Sequence, residues 1–314
     1  MIVASALLLY VVVLLVMGPK LLVRITAGGK APRLAITAWT TAVVTVLGCS
    51  IAAVGLLLVE AAGHWTSPNA LIASCLERLR AVLAGDAGWP AQAVATVAVV
   101  AAVGSLVAAV TRVVRALGLM RTQTFAHADA VRLVGRSHDR DVVVIEASVP
   151  AAYCVAGRPP AIVVTTAALA ALDETQLAAV VAHERAHLNG RHAYVVAAAR
   201  GLTVALPSCG LFASAAAHIN TQLEMCADDV AVRRHGRQPL LAGLLTLSGA
   251  TTPAHGLAAA RIAVLARAER LSNPPRRFTR IQTQVMLSGA VAAMAATPSA
   301  IAALSFSGVL ICFA

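Results

Sequence analysis

Four long apolar runs limit this chain more than any other feature. They cover about Ile2–Met17, Ala35–Val59, Ala91–Val110 and Val285–Leu304. A helix needs about 20 apolar residues to cross the hydrocarbon core of a bilayer. Inside that core only helices and closed barrels satisfy every backbone group. The chain is 59% apolar and 12% charged, with mean hydropathy +0.80, whereas soluble domains carry about 25% charged residues. The runs therefore read as four transmembrane helices, not as one large soluble core. The first lacks the basic segment that opens a secretory signal peptide. Lys20 and Arg24 follow it, where small residues would mark a cleavage site. It reads as a retained anchor.

The formal net charge of +11 raises the question of nucleic acid, and its distribution answers it. Lys20, Arg24, Lys30 and Arg33 lie between the first two runs with no acid among them. Arg112, Arg115 and Arg121 follow the third run, and Arg276, Arg277 and Arg280 precede the fourth. Between runs two and three, Glu77 and Asp86 balance Arg78 and Arg80. Basic residues at membrane ends are the positive-inside signal, whereas a nucleic-acid module clusters its charge on one element. The pattern places the first loop and residues 112–282 in the cytoplasm, both termini outside, and no nucleic acid as a direct partner. The six cysteines include no C-x-x-C pair, and Cys75 is alone in the outer loop. Free structural thiols are expected, not a disulfide or metal framework.

Charged residues thicken after Arg112, which suggests a membrane bundle over 1–111, a catalytic domain over 112–282 and a last span over 283–314. The β-branched runs Val142–Ile145 and Ala161–Val164 are punctuated by Pro150, Gly157, Pro159 and Pro160, a pattern of short strands in a small sheet. Asp173, with Gln176 three residues on, predicts a capped helix reaching about Gly190. Residues 195–217 are nearly apolar enough to cross a membrane, but Arg200, Gly201, Pro207 and Gly210 interrupt them. A helical hairpin packed on the bundle fits better. The fold class is thus mainly α: a polytopic helix bundle with a cytoplasmic α+β domain carrying a small sheet.

The predicted helix contains His183-Glu184-Arg185-Ala186-His187, an H-E-x-x-H motif. Residues i and i+4 share a helix face, so both imidazoles can reach one Zn²⁺ while the glutamate serves a water. From this chain's own His and Glu frequencies, the pattern is expected by chance about 0.006 times. A polar stripe on a surface helix is the bland alternative. A catalytic zinc takes three protein ligands, so a third lies elsewhere. Glu224 is the best candidate, with Asp228 four residues on and on the same face, placed to accept an imidazole N–H. Glu184 would be the general base. For the oxyanion, His192, Tyr194, His218, His235 and Arg233 remain open. The β-rich stretch either binds an extended peptide along a strand edge or is scaffold.

These residues resemble the bacterial membrane zinc peptidases of the BlaR/MecR type, a gluzincin family of antibiotic sensors. The resemblance rests on Leu172-Asp173-Glu174-Thr175-Gln176-Leu177-Ala178-Ala179-Val180-Val181-Ala182-His183-Glu184-Arg185-Ala186-His187, on the Glu224–Asp228 block, and on three spans before the zinc domain with one after. It is residue-specific over about 150–235. It implies a zincin-like domain in the plasma membrane with His183, His187 and Glu224 as ligands, Glu184 as base and Asp228 behind them. Position 192 is often an aspartate in such proteins and is His192 here, so it too is expected behind the ligands. The family's penicillin-sensor domain and S-x-x-K nucleophile are missing, which excludes acylation by a β-lactam. Prenyl-protein-type and heat-shock (HtpX-like) membrane proteases share the zinc motifs. Three functions follow: a zinc endopeptidase cutting a cytoplasmic regulator such as a winged-helix repressor, a housekeeping protease of membrane proteins, or a non-catalytic transducer. A structural zinc site would have four ligands and no free base, so Glu184 favours catalysis.

Overall fold

The computed structural model describes residues 2–63, 89–139, 141–250 and 257–306. The segment 64–88, expected as an outer loop with Cys75 and its balanced charges, and Cys312 lie outside the described residues. Helices α1 (Ile2–Thr26) and α2 (Pro32–Gly63) are joined by a short turn, with Pro32 opening α2 where its missing N–H costs nothing. Ala4, Leu7, Val11 and Leu22 of α1 and Trp39, Ala42 and Val46 of α2 are buried in one cluster. Helix α1 is longer than its apolar run because it continues past Lys20 and Arg24.

Three described helices are long and apolar enough to cross a membrane: Val3–Thr26, Pro32–Leu57 and Arg277–Leu304. The run Ala91–Val110 forms the N-terminal part of α3 (Trp89–Val134) and is not among them; many of its side chains lie outside the described residues. Helix α3 passes unbroken through residue 111, so charge density, not a break in the chain, marks the expected domain boundary there.

Strands β1 (Arg136–Ser137), β2 (Val142–Ile145), β3 (Ala152–Val155) and β4 (Ala161–Thr165) form a sheet in the order β1-β2-β4-β3. β2 runs parallel to β4, and β3 antiparallel to it with Cys154 opposite Ile162. The two β-branched runs are β2 and the wholly buried β4, as expected. β3 is an addition, and it is an edge strand. Alternate residues of β4 face opposite ways: Val163 packs with Ala128 and Val131 of α3, while Ile162 and Val164 pack toward Leu177 and Val181.

Those two leucine and valine side chains belong to α5 (Glu174–Asn189), which follows the short α4 (Thr166–Ala171). Asp173 caps α5 as predicted, its Oδ1 accepting from the Gln176 N–H at 2.8 Å and the Thr175 hydroxyl at 2.7 Å. Arg185, inside the motif, donates from Nε to Asp141 Oδ2 at 2.7 Å and so ties α5 to the start of β2.

Residues 195–217 are a helical hairpin, as expected. Helix α6 (His192–Ala205) ends before Pro207, and α7 (Gly210–His235) starts at Gly210. The first half of α7 joins the membrane cluster through Leu211, Phe212, Ala215 and Ile219, and the His218 ring stacks on Trp39 at 5.2 Å. Its second half faces α5. Helices α8 (Arg237–Ala250) and α9 (Leu257–Ser272) close the domain, and α10 (Arg277–Phe306) returns to the bundle. The α1–α2 turn docks on α7 and α9: Gln222 Nε2 donates to the Thr26 carbonyl at 3.0 Å, and Arg270 Nε to the Gly29 carbonyl at 2.9 Å. The basic first loop and the motif helices therefore share one side of the molecule.

Candidate metal centre

Helices α5 and α7 bring His183, His187 and Glu224 together, each offering a ligand atom within 4.8 Å of the others. The separations are 3.1 Å between the two Nε2 atoms, 3.4 Å from His183 Nε2 to Glu224 Oε2, and 3.5 Å from His187 Nε2 to Glu224 Oε1. Tetrahedral ligands at zinc bond lengths lie about 3.3 Å apart. The donor set and its spacing fit one such cation. On α5 the pairing comes from the i, i+4 repeat; Glu224 reaches it because the second half of α7 packs along that face.

Asp228, one turn beyond Glu224, is fully buried. Its Oδ1 lies 3.0 Å from His183 Nδ1, close in distance although the ring does not align for a hydrogen bond. Behind the second imidazole, His192 Nδ1 is 2.9 Å from His187 Nδ1. Burial and the His187 charge push His192 down to about 4. With His192 as the acceptor of this contact, the His187 Nε2 lone pair would face the centre. Burial works against a charge on His183, but Asp228 and Glu224 outweigh it and raise the imidazole to about 9. Burial likewise opposes the Glu224 charge, and His183, His187 and Arg267 still hold it far below the usual carboxylate range.

Arg267, on α9, is the residue that sequence reasoning missed. Its Nε donates to Asp228 Oδ2 at 2.9 Å and its Nη2 to Asp228 Oδ1 at 2.6 Å. Nη1 lies 3.0 Å from Glu224 Oε2, and Nη2 is 3.4 Å from His183 Nε2. One buried guanidinium thus touches both acids and one imidazole. Its only local signal is to be one of three arginines in an alanine- and leucine-rich helix, which says nothing about a partner.

Glu184 is partly buried next to β3, and its carboxylate accepts the Cys154 N–H. Burial raises its pKa, and the neighbouring histidines oppose that only in part. The Cys154 thiol is pushed up to about 12 by burial first and then by Glu184. It is no thiolate. Cys154 and His187 line two adjoining cavities, of about 540 and 330 Å³. Tyr194 lines the larger and His192 the smaller. The other oxyanion candidates lie elsewhere. His218 stacks on Trp39, while Arg233 and His235 are exposed about 13 and 16 Å along α7 from Glu224.

This arrangement of two histidines, an acid and an adjacent glutamate is that of a metal-dependent hydrolase, and the comparisons agree. Residues 120–272 match peptidase family M48. The matched stretch runs from the last part of α3 to the end of α9 and contains every residue of the centre, Arg267 included. M48 peptidases are metal-dependent, so the match supports a metallopeptidase. It does not name the BlaR/MecR type. No curated protein and no solved structure matches the chain.

Proposed function

We propose that this chain is a membrane-anchored zinc endopeptidase, with His183, His187 and Glu224 holding the metal. The observation that carries the proposal is that His183, His187 and Glu224 each bring a ligand atom within 4.8 Å of the others, with Glu184 next to His183 on the same helix. Zinc, when bound there, supplies a Lewis acid for the scissile carbonyl and for the attacking water. Glu184 takes the proton from that water and passes it to the leaving amine. Its raised pKa brings it nearer the range where it can both accept and return a proton. Asp228 and Arg267 keep His183 and Glu224 in place, and His192 orients His187. The outer edge of β3, where Glu184 accepts the Cys154 N–H, would take an extended peptide as a further strand.

For the substrate, the reading favoured by the BlaR/MecR resemblance is a cytoplasmic regulator such as a winged-helix repressor. The M48 match names no sensor, so a housekeeping protease of membrane proteins stands beside it. Metal content and cleavage by detergent-purified protein, measured beside Glu184→Ala and His187→Ala, test the proposal. One zinc per chain and Glu184-dependent cleavage of a repressor is the expected result. Cleavage of casein alone selects the housekeeping reading. Bound zinc without any Glu184-dependent cleavage leaves a transducer and removes the enzyme.

Orientation has its own test. The zinc domain is proposed to be cytoplasmic in a bacterial plasma membrane. Cysteines introduced near Arg33 and Arg121 should resist an impermeant thiol reagent in intact cells, and one near Asp86 should react. Reaction near Arg121 overturns the assignment.

A further inference from the structure

Two cavities meet at Cys154, His187 and Ala193, beside the centre. The larger has Arg158 and Arg191 in its wall; the smaller has Arg200. Among the described residues lining the two cavities, the other ionisable side chains are the metal-site residues His187 and Glu224, His192 behind them, Cys154 and Tyr194. All three arginines are exposed, and none forms an ion pair with a described acid. Some arginines elsewhere in the domain do, as Arg185 with Asp141, Arg267 with Asp228 and Arg270 with Asp229. The cleft walls therefore carry guanidinium groups whose carboxylate partners are not in the described chain.

We propose that this cleft selects peptide segments with acidic side chains near the bond held at the metal centre. The inference rests on the peptidase reading and adds to it the chemical class of the substrate. A peptide held at His187 borders both cavities, and each carries positive charge in its wall. Guanidinium groups pair with carboxylates through two parallel N–H bonds. A cleft lined by one sign of charge concentrates ligands of the other sign. A lysine-bearing segment meets repulsion from the same groups, which makes the selection two-sided. Each exposed pair contributes little alone; three acting together amount to about ten-fold in affinity.

The test separates binding from cleavage. Full-length Glu184→Gln protein in a neutral detergent is titrated into end-capped, dye-labelled peptides that differ only in carrying Asp, Asn or Lys at the flanking positions. Anisotropy should give the Asp peptide about ten-fold tighter binding than the Asn peptide and the Lys peptide weaker still. Added salt should shrink the gap. Arg158→Glu, Arg191→Glu and Arg200→Glu should each narrow it, and all three together should invert it. Equal binding of Asp and Asn peptides overturns the inference. So does an Asp preference that survives the triple change, or arginine variants that lose binding to phosphatidylserine vesicles alone. Cleavage by the zinc-loaded wild type reports separately on the peptidase reading: indifferent cleavage of all three peptides sinks the charge selection and leaves the enzyme. Charge-selective binding with no cleavage does the reverse.

Discussion

Removing the Arg267 guanidinium leaves Asp228 fully buried with only the His183 ring to answer its charge. Breaking such a pair from one side costs about 3–5 kcal/mol. Arg267→Met should therefore lower the thermal midpoint of the metal-free protein sharply. The double change Arg267→Met with Asp228→Leu strands neither charge and should recover much of that loss; no recovery would mean the pair is not what holds α9. His183 makes a second prediction. Its folded value of about 9 lies above the ordinary 6.5. Proton binding there stabilises the metal-free fold fully below 6.5, and that stability is lost as pH rises through about 9. A metal must displace this proton, so metal affinity should climb with pH and level off near 9. Calorimetry in buffers of different ionisation heat should find about one proton released per metal near neutral pH. No release would show that His183 is already neutral. The sequence pairs His183 with His187, and Glu224 with Asp228, because residues four apart on one helix share a face. Arg267 stands 39 residues past Asp228 on another helix, and no period links them.

At the scale of elements, the motif helix was the most readable part of the chain. Its start is fixed by one side chain, and Asp173→Ala should cost about 1 kcal/mol. A midpoint shift in thermal unfolding would show it; Asp173→Ser should restore most of the loss, because serine also caps. Strands β2 and β4 were legible as β-branched runs between turn residues. Strand β3 was not. Ala152–Val155 is four residues long, half-buried for most of its length, and has a single β-branched residue. It becomes a strand by pairing with β4, and its place at the edge beside Glu184 follows from the sheet order, which no local pattern encodes. The long α3 shows the converse: its apolar part was read as a span that should end near the first arginines, yet the helix runs on to Val134.

Across the whole molecule, α7 belongs to two structures at once. Its first half is packed in the membrane cluster, and its second half carries Glu224 and Asp228. The α1–α2 turn reaches the same helix: Gly29, with φ at 55°, sits where a Cβ would run into the Met225 side chain, next to Glu224. Gly29→Ala should cost about 1–2 kcal/mol from the left-handed backbone alone. By pushing on Met225 it should also weaken metal binding, which competition with a chelating dye would read. Unchanged metal affinity would separate the turn from the centre. The sequence alone determined three apolar helices long enough to cross a membrane, the capped motif helix, the two β-branched strands and the four-residue pairings within α5 and within α7. Each of these is written in a local period or in a length set by the bilayer. Tertiary structure alone decided the edge strand, the closure of Arg267 over both acids and the docking of the first loop, through contacts spanning 196 and 241 residues. Such contacts depend on which faces pack together, and a window of sequence holds no record of that choice.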